Sequence, residues 1–179
     1  MDEDSFSQNQ LDDLFLEMIE FYQGDAKRIQ HFTKVHSYAR LIGKMEELDP
    51  VSLFILEAAA YTHVIGIKPA EEKYGRCDEE LQEKESPTLA QHMLSDLGFE
   101  NYMIERICYL VGHVHSYDVI EDLDHQILVE ADLLVNLYEK DKSDHRIRKV
   151  YNQIFKTESG KRICRQMFGL EEPEEEKIL

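Results

Sequence analysis

Positive charge is scarce in this sequence. Its 179 residues include 20 lysines and arginines against 37 aspartates and glutamates, which gives a formal net charge of −17. A chain this acidic repels the phosphate backbone of nucleic acids and the surface of anionic membranes. We therefore expect neither a nucleic acid nor a membrane among its partners. A small phosphorylated ligand remains compatible with this charge if a local cation or a metal ion offsets the field.

Cysteines and long apolar runs are few as well. The three cysteines, Cys77, Cys108 and Cys164, lie far apart and form no CxxC pair. The opening residues MDEDSFSQNQ are acidic and polar, so we expect no secretory signal. No apolar run is expected to reach the roughly 18 to 20 residues that cross a bilayer. These features favour a reduced, cytoplasmic environment.

The alternation of polar and apolar residues that marks a β-strand is missing, whereas helical periodicity is frequent. The first apolar helix face comprises Leu11, Leu14, Phe15, Met18, Ile19 and Tyr22. Asp25 is an N-cap signal for a second helix over residues 26–46. Asp49-Pro50 opens a third helix, which Gly66 closes. Because residues 51–65 are apolar nearly all round, we expect this third helix in the centre of a bundle.

The rest of the chain predicts one interruption and then further helices. Residues 67–85 are charged and irregular, which favours a functional loop. Ser86-Pro87 is expected to start a helix that ends at Gly98. Later helices are expected over residues 101–114, 125–140, after Ser143 and over 161–168. We therefore predict an all-α, compact multi-helix bundle, with one domain over residues 1–170 and a flexible acidic tail over residues 171–179.

Two histidines occupy positions that need an explanation. On a helical wheel of residues 26–46, His31 falls inside the buried arc and His36 on its shoulder. His63 lies near the end of the apolar third helix. A buried histidine can be a core residue held neutral by a hydrogen bond, or a ligand. The residue pattern alone favours neither interpretation.

Two acids lie among aliphatic residues of the helix over 125–140. Asp132 has Leu128 and Val129 four and three residues before it, and Glu130 has Ile127 three residues before it, so each lies beside aliphatic side chains on the helix. An unpaired buried carboxylate costs several kcal/mol, so a buried acid needs a partner. The pattern does not separate these two acids.

The other histidines give weaker signals. His113 and His115, in the segment VGHVHS, end a helix and either line a cavity or are solvated. His92 and His125 are expected to be exposed, and His145 belongs to a polar first turn.

Three segments, in order, resemble the conserved segments of the HD-domain superfamily. RIQHFTKVHSYA (28–39) is similar to its first segment, I-x-H-x-x-R/K-V-x-x-x-A. EAAAYTHVIGI (57–67) is similar to A-A-x-x-H-D-I-G, the segment that names the superfamily. ILVEADLLVNL (127–137) is similar to its last conserved segment, in which an Asp follows an Ala. The similarity covers a motif-bearing core over residues 25–140. It implies an HD-domain-like helical bundle.

The resemblance also implies a site. Most characterised members are metal-dependent phosphohydrolases that act on nucleotides or other phosphoesters, and the match places metal ligands at His31, His63 and Asp132. Lys68 lies just past a position where many members carry a lysine and is expected to meet substrate phosphate. Lys73 and Arg76 offer further cations for substrate, unless they are ordinary solvated charges.

Val64 departs from the superfamily pattern, in which an aspartate that binds the metal follows the histidine. Two imidazoles and one carboxylate remain, a set that can hold a divalent ion with its other positions left to water or phosphate. This set does not distinguish Mn, Mg, Fe, Ni and Zn. We expect a single weakly held metal, or none.

Two functions follow from the resemblance. One is a cytoplasmic phosphohydrolase with a mononuclear metal site, in which His113 or His115 acts as acid or base. The other is a catalytically silent HD-like domain that binds a nucleotide or a protein partner, which Val64 favours. A helical scaffold with structural histidines is a third reading. The sequence leaves a homodimer open.

Overall fold

A computed structural model describes residues 8–171, and in this part of the chain all regular structure is helical. The nine helices are α1 (Gln8–Phe21), α2 (Ala26–Met45), α3 (Pro50–Thr62), α4 (Ile67–Tyr74), α5 (Glu79–Asp96), α6 (Asn101–Val111), α7 (Leu123–Glu139), α8 (Asp144–Ile154) and α9 (Glu158–Phe168). One apolar core extends from Leu11 on α1 to Cys164 on α9. The all-α prediction is confirmed. The predicted tail lies, apart from Glu171, outside the described residues.

Helices α3 and α7 form the centre of the bundle. Helix α3 is buried without interruption from Phe54 to Thr62, and α7 from Asp124 to Val135. Helix α2 packs on both of them, and α6 and α1 pack on α3. The sequence predicts a central position for α3 because this helix is apolar nearly all round, and the structure confirms that prediction.

One stretch is longer and more apolar than the sequence analysis expects. By length and composition alone, Pro50–Tyr74 could cross a membrane, so the expectation of no such run is wrong. However, 72% of its most apolar window is buried inside the fold. Its apolar surface is used as protein core.

The loop predicted over residues 67–85 is also wrong, because this stretch contains α4 and the beginning of α5. Gly75 ends α4 with a left-handed φ of 70°, and the Asp78 side chain caps α5 by accepting a hydrogen bond from the Leu81 N–H. Pro87 lies inside α5 instead of starting it. Ser86 Oγ accepts a hydrogen bond from the Gly66 N–H at 3.1 Å, so a contact distant in sequence holds the helix where local signals predict a break.

Gly66 lets the backbone of α5 approach the end of α3. A Cβ at Gly66 would lie 2.7 Å from Ser86 N and 2.8 Å from Gln82 O. We expect Gly66→Ala to lower the free energy of unfolding by about 3 kcal/mol in urea denaturation, because backbone atoms must move apart. Gly75→Ala is the control: its Cβ meets open space, so only left-handed strain of about 1 kcal/mol applies. Equal losses in the two variants would contradict this packing role.

Candidate metal centre

Three helices bring two imidazoles and one carboxylate together. His31 belongs to α2, His63 caps the C-terminus of α3, and Asp132 lies in the middle of α7. The two Nε2 atoms are 3.2 Å apart, and each is 3.3 Å from Asp132 Oδ1. Asp132 is 1% exposed and His63 is fully buried, so this triangle lies inside the protein.

Hydrogen bonds on the far side of each ring fix which nitrogen carries the proton. His63 Nδ1 donates to the Ala60 carbonyl at 2.8 Å, and His31 Nδ1 donates to Glu139 Oε2 at 2.7 Å. When both rings are neutral, their Nε2 atoms therefore turn lone pairs toward Asp132 Oδ1. Three acceptor atoms converge on one point, which is a position for a cation.

Burial and the neighbouring groups shift the pKa of each member of the cluster. Burial would raise the pKa of the Asp132 carboxyl, but its contacts with the His31 and His63 rings favour the carboxylate, outweigh burial and bring that pKa well below its usual range. Burial depresses the pKa of His63. Burial also opposes the charged form of His31, but Asp132 and Glu139 outweigh that effect and raise the pKa of its imidazole. The centre is an anionic carboxylate between two imidazoles.

The residues fit a divalent metal ion. Ligand atoms about 2.05 Å from one tetrahedral ion lie roughly 3.3 Å from each other, as the three atoms here do. Among the described residues Asp132 Oδ2 is buried without a hydrogen-bond partner, so the carboxylate has unused acceptor capacity. The His31–His63–Asp132 cluster can therefore hold a metal ion. Its ligand types do not identify which metal.

Glu139 is a functional candidate that the sequence analysis missed. It lies two helical turns after Asp132 on α7, on the same side of the helix, and its carboxylate joins His31 to Lys34, whose Nζ is 2.7 Å away. A carboxylate behind a ligand histidine orients the ring and raises its basicity. The spacing of seven residues from Asp132 was the available signal.

A cavity of about 420 Å³ borders the cluster and includes His115 in its lining. Gln82 links this histidine to the backbone of His63. Its Nε2 donates to the His63 carbonyl at 2.9 Å, so its Oε1, 3.2 Å from His115 Nε2, must accept. His115 therefore carries its proton on Nε2, and its Nδ1 lone pair lies 3.5 Å from the Tyr117 hydroxyl and 3.8 Å from Asp132 Oδ2.

Of the two histidines in VGHVHS, His115 rather than His113 lines the cavity. The His113 ring stacks on Tyr109 and donates from Nδ1 to the Tyr109 carbonyl at 2.7 Å. His125 is fully buried, which contradicts its expected exposure, because its Nε2 donates to the His113 carbonyl at 2.8 Å inside the packed base of α7.

The predicted substrate cations are not among the residues that line the cavity. Lys68 Nζ is 3.2 Å from the Phe21 carbonyl, and Lys73 Nζ is 3.4 Å from Glu85 Oε1. Arg76 pairs with its neighbour Asp78. The structure does not bring these three side chains to the metal centre, and their role with substrate stays a prediction.

Glu130 and Asp132, which the sequence did not separate, have different partners. Glu130 Oε1 accepts hydrogen bonds from the backbone N–H groups of Lys156 and Thr157 at 2.6 and 2.9 Å. It also accepts from Thr157 Oγ1 and so anchors the turn between α8 and α9. Asp132 alone of the pair reaches the histidines.

Val64 borders both the metal centre and the cavity. It is 2% exposed, follows His63 directly and contributes to the cavity lining. Its carbonyl accepts a hydrogen bond from the Tyr22 hydroxyl, which fixes the backbone here. A side chain without a lone pair therefore occupies a position next to the candidate ligands.

The cavity lining is acidic overall. Six acids line it against three bases among the residues that the structure describes. The acids are Asp25, Glu71, Asp78, Glu79, Asp132 and Glu139, and the bases are Lys27, Arg28 and Lys140. An anionic ligand needs a local cation here.

Comparison with known proteins identifies the fold. No protein-family model matches the chain, and no curated protein matches it significantly. A solved structure does match: the crystal structure of a predicted HD superfamily hydrolase from an uncultured Thermotogales bacterium, with 21% sequence identity and a TM-score of 0.62. The match covers 90% of this chain and 85% of the other. The chain therefore has an HD-domain-like fold, as the three segments predict.

Proposed function

We propose that the protein is a metal-dependent phosphohydrolase that acts on a nucleotide or another small phosphoester. The observation that carries this proposal is the convergence of His31, His63 and Asp132 on one point beside a cavity of about 420 Å³. The HD-domain-like fold supports it. A divalent ion in that triangle supplies a Lewis acid for the phosphoryl group and for an attacking water.

The protein's own groups have distinct tasks in this reaction. Asp132 and the two histidines bind the ion, and Glu139 orients His31 through its Nδ1–H. His115 lines the cavity and accepts the proton of the attacking water at Nδ1, 3.8 Å from Asp132 Oδ2. Gln82 holds His115 in the required tautomer by accepting from its Nε2–H.

His115→Gln separates proton transfer from metal binding. We expect this variant to keep its metal content but to lose about 100-fold or more in turnover of a plain phosphoester with Mn²⁺, because general base catalysis contributes about 10²–10⁴-fold. His63→Ala is expected to lose both metal and activity. Metal content by elemental analysis and phosphate release are the measurements. A wild-type protein that is inert across a broad screen of metals and phosphoesters would overturn the proposal.

A second candidate function is a catalytically silent domain that binds a nucleotide or a protein partner. Val64 favours it, since this side chain cannot bind a metal from its place beside His63. Elemental analysis of protein purified without chelator distinguishes the two functions. Metal well below one ion per chain, with no rise in melting temperature on adding metal, would support the silent domain.

A further inference from the structure

Arg28 lies on the same helix face as a candidate metal ligand. It precedes His31 on α2 by three residues, a spacing that places two side chains on one side of a helix. Both side chains line the same cavity. A guanidinium one helical turn from the metal centre is within reach of a ligand that fills this cavity.

Arg28 is also the base best suited to a phosphate. It is the sole arginine among the described residues of the cavity lining, and its side chain is 26% exposed, whereas Lys27 and Lys140 are exposed. A guanidinium binds a phosphate through two parallel N–H···O bonds, and a lysine binds it as a point charge. Asp25 Oδ2, 3.1 Å from Nη1, and the Tyr22 ring, 5.7 Å from Cζ, hold the guanidinium in place.

A carboxylate already occupies the fork of this guanidinium. Glu71 on α4 accepts from Arg28 Nη2 at 2.6 Å and from Nη1 at 3.1 Å, the two-bond arrangement that a phosphate would adopt. The Glu71 side chain is 45% exposed, and ion pairs this open to solvent contribute little to stability. An incoming phosphate can therefore take its place.

We propose that Arg28 is the phosphate-binding side chain of the cavity and that Glu71 occupies it as an internal competitor until a phosphorylated ligand displaces it. The proposal rests on the proposed function for the kind of ligand, a phosphoester, but it concerns binding and needs no turnover. It also accounts for how an acidic cavity accepts an anion. The phosphate takes the place of the Glu71 carboxylate on Arg28, so the guanidinium neutralises the ligand instead of an acid of the protein.

The test is calorimetric titration with inorganic phosphate in the presence of Mg²⁺. Glu71→Gln is expected to tighten phosphate binding about fivefold, because it removes the competing charge. Arg28→Gln is expected to weaken binding at least about tenfold, and Arg28→Lys to weaken it less, since the charge stays and the second N–H bond is lost. In the Arg28→Gln background, Glu71→Gln is expected to change nothing.

Glu72→Gln is the matched control, because Glu72 is a neighbouring exposed acid of α4 outside the cavity lining. It removes the same charge and is expected to change phosphate affinity less than twofold. Equal effects of Glu71→Gln and Glu72→Gln, or weaker phosphate binding in Glu71→Gln, would overturn the proposal. Failure of the proposed function looks different: the expected affinity pattern would appear in a protein that hydrolyses no phosphoester.

Discussion

Asp132→Asn is expected to abolish stoichiometric binding of a divalent ion and to leave the protein folded. Asp132 supplies the single anionic atom of the triangle, 3.3 Å from both histidine Nε2 atoms. Asparagine keeps the shape but removes the charge, and its amide can donate to a histidine lone pair, so the buried site stays satisfied. We expect an affinity loss of at least about 100-fold, measured by calorimetry with Mn²⁺ or Zn²⁺, because even indirect partners of a metal contribute 10–100-fold.

Glu130→Gln is the control for this prediction. Glu130 lies two residues earlier on α7 and is equally buried, but it accepts from the backbone of Lys156 and Thr157. We expect it to lose about 2 kcal/mol of stability in urea denaturation, since bonds to a charged acceptor are weakened, and to keep its metal affinity. Metal loss in Glu130→Gln together with normal binding in Asp132→Asn would show that the wrong carboxylate has been assigned to the centre.

The helices could largely be predicted from the sequence because their signals are local. Asp49 caps α3 by accepting from Val51 N and Ser52 N, as its place before a proline predicts. The apolar surface of α3 indicates burial on all sides, and the helical wheel places His31 inward, where the structure has it. Such features depend on residues within a few turns of each other.

Part of the site could not be predicted because it depends on contacts between distant residues. His31 and Glu139 are 108 residues apart, and Gln82 and His115 are 33 apart. No periodicity connects such pairs. The separation of Asp132 from Glu130 likewise depends on which helix each carboxylate meets, and in the sequence only the resemblance to HD domains assigned it.

The error over residues 67–85 has a similar cause. Charged residues are a local signal of a loop, and Ser86-Pro87 is a local signal of a helix start. In the folded chain Gly66 packs directly on the backbone of α5, and α5 continues past Pro87. The stretch also contains Lys68 and Lys73, which lie on α4 instead of a loop, and their role with substrate stays a prediction. On the folded chain they have partners at Phe21 and Glu85.

Val64→Asp is expected to raise metal affinity by about tenfold or more and to increase phosphoester turnover. Val64 is buried beside His63 in the cavity lining, so a carboxylate there adds a charged oxygen next to the metal centre. Without metal, the same carboxylate is a buried charge that costs several kcal/mol, so the melting temperature should fall below that of the wild type. Saturating Mn²⁺ should restore it, because an ion that binds the native state alone at 100 times its Kd adds about 2.7 kcal/mol.

Val64→Asn distinguishes an added ligand from a general effect of polarity at this position. It has the size of the aspartate variant without its charge, so it should be destabilised with and without Mn²⁺ and gain little metal affinity. If the aspartate variant instead binds metal and hydrolyses phosphoesters no better than the wild type, the valine is not what limits the native centre. If the aspartate variant gains both metal affinity and turnover, the missing carboxylate at position 64 weakens metal binding in the native centre. Turnover by the wild type is then limited by metal affinity rather than by the positions of His115 and Gln82.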